Sequence, residues 1–452
     1  MKIRNPFLKT SSVQIIPLSF LGAIILGTGL LMLPVSRAGS GSADPLTALF
    51  TATTSVCVTG LVVVDTFSYW SGFGKVVILL LIQLGGLGIV TMAAATLMLL
   101  RRRFSLKNRV LMRDAFDLNT IKGMPDFLRG VLCGTLIVET IGALLYLPVF
   151  IPRAGVLRGV WYAFFTSVSA FCNAGIDVLG PDSLISYSAS PLMLINTMAL
   201  IVLGGLGYIV WFDLLDCLRK KKAGSRCRLS VHSKLVLAMT ALLVGIGAVI
   251  VFCLESSNPE TIGTMSLPGK ILNSIFQSVT FRTAGFATVP QEGLRESTSL
   301  AGCLFMFIGG SPVGTAGGVK TVTIAVVLLN MISFIRDRDE IVLFGRSVSI
   351  PLIRKAVAVV SVSMCVTLLF TIILIAVEHC SLADALYEMF SATATVGLSR
   401  GLTSSLHTAG RWLVIIAMYL GRIGPVSMAM FFGRGSNSRN LTKTAEGNFR
   451  LG

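Results

Sequence analysis

The chain has 452 residues, 54% of them hydrophobic and only 13% charged, with a mean hydropathy of +0.82. That balance excludes a soluble domain and defines a polytopic membrane protein. A formal net charge of +17 would suit nucleic acid, but 27 of the 38 Lys and Arg fall in five blocks, at 1–12, 101–130, 218–235, 331–357 and 432–452. Under the positive-inside rule this basicity marks the cytoplasmic side and argues against a nucleic-acid partner.

Residues 1–12 read as a cytoplasmic N-terminus, and 13–33 is long enough to span, without a cleavage-like end. Further apolar spans run at about 73–100, 127–151, 190–218, 235–254, 297–333, 352–377 and 412–432, before a tail at 433–452. Eight crossings place both termini in the cytoplasm. Between paired spans a short amphipathic stretch runs from an aromatic to a glycine: Phe50 to Gly60, Phe165 to Gly175, Phe276 to Gly285 and Tyr387 to Gly397, the glycines standing 115, 110 and 112 residues apart. Such regular self-similarity signals repeats.

A helix of about 11 residues reaches about 16 Å, half of the hydrocarbon layer, so each stretch must enter and return. Non-helical backbone at that depth has to be enclosed by protein or line a watery cavity. Two full crossings per repeat make all four repeats face the same way, around one axis along the membrane normal. The expected fold is an all-α integral membrane protein of four parallel helix–pore loop–helix repeats (13–100, 101–218, 219–333 and 334–432) around a pseudo-fourfold pore.

The residues ending each stretch are small or hydroxylated: Val58-Thr59-Gly60, Asn173-Ala174-Gly175, Thr283-Ala284-Gly285 and Thr395-Val396-Gly397. No carboxylate ring is present, which leaves backbone carbonyls as ligands for a dehydrated monovalent cation. Glycine permits the angles that turn carbonyls toward an axis, and half-helix C-termini add partial negative charge. A second repeated feature, Gly85-Gly86-Leu87-Gly88, Gly204-Gly205-Leu206-Gly207, Gly309-Gly310 and Gly421-Arg422-Ile423-Gly424, suits close helix packing. Only the sixth span reads as interrupted, by Gly309-Gly310-Ser311-Pro312-Val313-Gly314-Thr315-Ala316-Gly317-Gly318-Val319-Lys320, whose five glycines and proline cannot hold a stable helix. It is either a packed kink or a loop blocking the pore.

Arg422, costing about 2.5–3.5 kcal/mol at mid-bilayer, must face the cavity or find acceptors. Lys320 either joins the broken segment's function or snorkels inward. Glu139 in the third span is a functional carboxyl or an interhelical hydrogen-bonding group. Asp213 and Asp216 sit beside Arg219 to Lys222, which favours salt-bridged anchoring; Asp65, Asp177 and Asp182 either concentrate cations at the mouth or are solvated loop charge. Nine scattered cysteines without a CxxC pair read as small core hydrophobes. His232, His379 and His407 lack supporting clusters, so nothing points to an enzyme.

Val58-Thr59-Gly60-Leu61, Cys172-Asn173-Ala174-Gly175, Phe281-Arg282-Thr283-Ala284-Gly285-Phe286, Ala394-Thr395-Val396-Gly397-Leu398 and Gly421-Arg422-Ile423-Gly424-Pro425 together resemble the Trk/Ktr/HKT superfamily of potassium transporters, over about residues 13–432. The resemblance is nearest to Ktr-type pore subunits, since the chain begins at its first repeat. It implies a potassium-binding filter at the twelve residues quoted above from Val58 to Gly397, with Gly60 standing where sodium-preferring plant relatives carry serine. It implies an intramembrane gate made of Gly309, Gly310, Ser311, Pro312, Gly314, Thr315, Gly317, Gly318 and Lys320, with Arg422 as a positive barrier below the filter. It further implies potassium as substrate, sodium as a candidate stimulating ion and no cofactor in this chain. The implied assembly is a homodimer on a cytosolic nucleotide-binding ring of the KtrA or KtrC kind, with membrane lipids at the basic inner loops. The rival is a coupled secondary transporter, which would need inverted repeats and interruptions at corresponding positions of two halves.

Overall fold

The computed structural model describes residues 12–89, 91–92, 124–225, 227–338 and 340–424. The start of the N-terminal segment, the basic block through residue 123 and the tail, all expected to be cytoplasmic, lie outside the described residues. The first repeat comprises α1 (Ser12–Leu31), α2 (Pro45–Cys57) and α3 (Gly72–Leu87). The second comprises α4 (Met124–Ala154), α5 (Val156–Phe171), α6 (Pro191–Leu206) and α7 (Tyr208–Lys222). The third holds α8 (Val231–Glu255), α9 (Leu267–Thr280), α10 (Glu296–Phe307) and α11 (Thr321–Ile335). After a small hairpin, β1 (Val342–Leu343) against β2 (Arg346–Ser347), the fourth holds α12 (Ile350–Glu378), α13 (Leu382–Thr393) and α14 (Thr408–Ile423).

Among the described residues, Pro125–Ala154, Val231–Glu255 and Ile350–Glu378 are long and apolar enough to cross a bilayer. They leave Leu136, Ile137, Leu242 and Leu369 exposed, as lipid-facing surfaces require. The shorter α2, α5, α9 and α13 are half-helices, and side chains cap the starts of α2 and α13. Asp44 accepts from the Thr47 amide at 3.0 Å ahead of Pro45, and Ser381 accepts from the Asp384 amide at 3.1 Å. Phe50, Phe165, Phe276 and Tyr387, the aromatics that mark the repeat, are all fully buried.

The repeats join by one rule. The second long helix of each packs against the half-helix of the next: α3 on α5, α6 on α9, α10 on α13, and α14 back on α2. A rule that returns to its start after four steps requires all units to face the same way, and the architecture is four parallel repeats around one axis. All four repeats also place the half-helix C-terminus at that axis.

The sixth span is not alone in breaking. α6 and α7 meet at 99° across Gly207 (φ +87°), and α3 and α14 end at Gly88 (φ +84°) and Gly424 (φ +89°). The expected continuous helices at 73–100 and 190–218 are therefore corrected: the last glycine of each motif adopts a left-handed backbone that ends the helix. The packing expectation for the preceding glycines holds. A Cβ on Gly85, Gly204 or Gly421 would collide with the carbonyl oxygen of Val56, Phe171 or Thr393 at a half-helix end. Gly204→Ala should consequently lower stability by about 1–3 kcal/mol through overpacking, whereas Gly22→Ala, with nothing within 4 Å, should be neutral; detergent-phase thermal unfolding reads both.

Candidate ion pathway at the repeat axis

Each half-helix stops in the same way. Val58, Asn173, Thr283 and Thr395, two residues before the glycines, have φ of +55°, +58°, +64° and +52°. Left-handed angles are rare outside glycine and are strained for β-branched Val and Thr, so four of them in one register are a built feature. Gly60, Gly175, Gly285 and Gly397 follow, also at positive φ, of +102°, +65°, +78° and +97°. A Cβ on these glycines would strike the carbonyl oxygens of Ala174, Ala284, Val396 and Thr59 respectively, each belonging to the next loop around a closed ring. The four loops meet at one place, and glycine is required there by contact as well as by angle.

One set of residues was not singled out by the sequence reading. Thr54 Oγ1 accepts from the Gly60 amide and Ser391 Oγ from the Gly397 amide, both at 3.0 Å. Ser169 Oγ and Thr280 Oγ1 donate to the carbonyls of Ile176 and Phe286 at 2.5 and 2.6 Å. A hydroxyl in the last turn of every half-helix thus pins its loop, and a Ser or Thr five or six residues before each glycine is the signal that could have revealed it. Thr59, Thr283 and Thr395 keep buried hydroxyls without a hydrogen-bond partner among the described residues, oxygens that suit a cation stripped of water.

Below this ring lies the segment between α10 and α11. It folds back on itself through Gly309 N to Val319 O at 3.0 Å and Gly310 N to Gly317 O at 3.3 Å, so it is an ordered hairpin-like loop. It reaches the other three repeats. Ser311 N and Thr315 N donate to Gly205 O and Gly204 O at 2.9 and 3.1 Å. Thr315 Oγ1 donates to Phe171 O at 3.0 Å and to Asn173 Oδ1 at 3.3 Å. A Cβ on Gly317 would run into the Thr395 side chain of the fourth filter loop. Arg422 completes the arrangement: Nη1 donates to Thr315 O at 2.8 Å and Nη2 to Gly85 O at 2.6 Å. The guanidinium therefore links the loop to the first repeat, and snorkelling is excluded. Lys320 Nζ donates to Ala316 O at 2.7 Å within the loop.

The remaining candidates divide. Glu139 is buried behind the second filter loop and accepts from Gln83 Nε2 at 3.2 Å, with Cys172 Sγ 3.9 Å away. Asp65 caps a short outer helix through the amides of Phe67 and Ser68. Asp177 accepts from the Leu179 amide at 3.1 Å, and burial pushes its carboxyl up to about 6. Asp216 lies 3.9 Å from Arg219 on the surface, and Asp213 accepts from the Ser230 amide at 2.9 Å. Cys57, Cys172 and Cys303 are buried as expected, but Cys133, Cys253 and Cys365 are exposed and Cys217 and Cys227 form a disulfide, which corrects the reading of the cysteines as core residues. The reversal of the chain just after α7, at Gly224 (φ +73°), brings positions ten residues apart to a Cα separation of 5.2 Å, which spacing alone does not reveal.

The TrkH family model, described as cation transport protein, matches residues 6–443. The chain belongs to the TrkH family. It is 38% identical to "Ktr system potassium uptake protein B" of Bacillus subtilis over 94% of both chains. It is 35% identical to the protein of the same name from Vibrio alginolyticus, over 94% of this chain and 92% of the relative. "Potassium/sodium uptake protein NtpJ" of Enterococcus hirae is 34% identical over 92% of this chain and 91% of the relative. The crystal structure of the potassium transporter TrkH from Vibrio parahaemolyticus superposes with a TM-score of 0.75 at 15% identity, covering 95% of this chain and 87% of that one. These relatives are transporters, and the fold is theirs.

Arg422→Ala removes two charge-assisted hydrogen bonds, each worth about 1.5–3 kcal/mol. It should change potassium uptake rate or apparent affinity about tenfold or more, with Arg422→Lys intermediate; wild-type uptake kinetics in the alanine variant would remove Arg422 from the pathway.

Proposed function

We propose that this chain is the ion-translocating subunit of a potassium uptake system of the cell membrane. The observation that carries the proposal is the closed ring of four glycine-ended loops, each entered through a left-handed residue and pinned by a hydroxyl. Such a ring suits replacement of a monovalent cation's water shell by backbone oxygens, which needs no side-chain charge. Val58-Thr59-Gly60, Asn173-Ala174-Gly175, Thr283-Ala284-Gly285 and Thr395-Val396-Gly397 are the proposed filter. Relatives named for potassium uptake support the choice of ion, and sodium as a stimulating ion is part of the same reading.

The proposed gate is the loop from Gly309 to Lys320 together with Arg422. The loop touches all three other repeats: Ser311, Val313 and Thr315 bond to the second, Gly317 packs on the fourth, and Arg422 bridges to the first. Opening then means breaking a handful of hydrogen bonds rather than moving a long helix. As parts of the same reading, four repeats occupy 13–100, 101–218, 219–333 and 334–432, and both termini face the cytoplasm. The chain pairs as a homodimer, and a cytosolic nucleotide-binding ring of the KtrA or KtrC kind regulates it from outside. The word "system" in the relatives' names supports a partner subunit.

Expression in a bacterium lacking its own potassium uptake should restore growth at low external potassium, with sodium varied to read its effect; failure at every sodium level would refute the assignment. Deleting residues 310–317 should raise potassium flux into proteoliposomes, and unchanged flux would reject a gating role for the loop.

A further inference from the structure

Between the second and third repeats a small cavity of about 10 Å³ is lined by Asn173, Ile201, Gly205, Thr240, Arg282 and Gly310, among others. Its polar lining is unusual. Arg282 Nε, Asn173 Nδ2 and Thr240 Oγ1 are all buried, and among the described residues none of these three atoms has a hydrogen-bond partner. Asn173 is 1% exposed and Arg282 8%. The amide of Asn173 is oriented by its other end, since Oδ1 accepts from Thr315 Oγ1 at 3.3 Å. Three donors that lack acceptors therefore border one space.

The charge of Arg282 is the larger anomaly. Among the described residues its one hydrogen bond runs from Nη2 to Gly309 O at 3.4 Å, a long contact to a neutral carbonyl. None of the ion pairs among the described residues includes Arg282. A buried charge that lacks a counter-charge is strongly destabilising. This one sits directly before Thr283 of the filter, where an unneutralised guanidinium would also repel an arriving cation.

We propose that this cavity is a binding site for a single small anion, a halide such as chloride, held by Arg282 Nε, Asn173 Nδ2 and Thr240 Oγ1. All three groups can donate a hydrogen bond and together they carry one positive charge, which suits a halide, and a cavity of about 10 Å³ has room for one small species. The occupant offsets the Arg282 charge beside the filter. It also ties together three parts that contact one another here: the second filter loop through Asn173, the third through Arg282, and the start of the gate segment at Gly309 and Gly310. Potassium flux through the chain should then depend on the anion as well as the cation, without any anion being transported.

Bromide is the probe, because it is isosteric enough with chloride and scatters anomalously. Crystals of the full chain grown in bromide should show an anomalous peak bordered by Arg282, Asn173 and Thr240. Arg282→Gln should lose it. Thr240→Val, which leaves the filter and Arg282 in place, should weaken bromide affinity about tenfold, the value of one hydrogen bond to a charged group. In parallel, potassium flux into proteoliposomes should fall when chloride on both faces is replaced by gluconate, which is too large for the cavity. Arg282→Lys should retain that anion dependence and Arg282→Gln should abolish it. Absence of the bromide peak in crystals that otherwise diffract well would overturn the site and leave water as the occupant. Flux identical in chloride and gluconate would overturn its role at the filter. The bromide measurement does not require the potassium assignment, so the two readings fail separately.

Discussion

The structure depends on a constraint of solvation. Peptide groups that leave a helix in the middle of a bilayer have no water to bond, and each costs several kcal/mol unless the protein supplies partners. Four chains of backbone do this at one point here, at the ends of α2, α5, α9 and α13. The cost is met locally by hydroxyls at Thr54, Ser169, Thr280 and Ser391, which occupy amides and carbonyls that the turn exposes. The same hydroxyls hold the four loops in the shape in which they meet at the axis.

Strain enters at the same place. Val and Thr at left-handed angles are unfavourable alone, and they persist because the surroundings over-determine them. Glycines of the neighbouring loops and of the second helices allow no room for retreat, since Gly85, Gly204 and Gly421 bring those helices onto the half-helix carbonyls. A ring of loops built this way is rigid by packing. The segment from Gly309 to Lys320 is rich in glycine yet well bonded, tied to the second repeat through Ser311, Val313 and Thr315 and to the fourth through Arg422.

The departures from fourfold symmetry carry the specific chemistry. At the residue three before each filter glycine stand Cys57, Cys172, Arg282 and Ala394, four different side chains in equivalent places. Cys172 meets Glu139 and Gln83, whereas Arg282 reaches Gly309 at the gate's start. Among the second helices, the third replaces a simple break by a thirteen-residue crossing loop between Phe307 and Thr321, and the fourth contributes Arg422 to hold it. Symmetry provides the ring of four loops, and its exceptions provide the loop from Gly309 to Lys320 and the Arg422 that bonds it.

Much of this was legible in the chain itself. Apolar spans, the parity of crossings and the spacing of Gly60, Gly175, Gly285 and Gly397 determine a parallel fourfold pore, because hydrophobic length and left-handed turns are properties of local sequence. The breaks at Gly88, Gly207 and Gly424 were hidden, since a lone glycine within an apolar run reads equally as close packing, and only the neighbouring carbonyls decide its angle. Equally invisible were the partners of Arg422, Glu139 and Arg282 and the meeting of Cys217 with Cys227. A buried charge announces in sequence that it needs a partner, but which atom answers is decided by helices distant in the chain, and that choice belongs to tertiary structure alone.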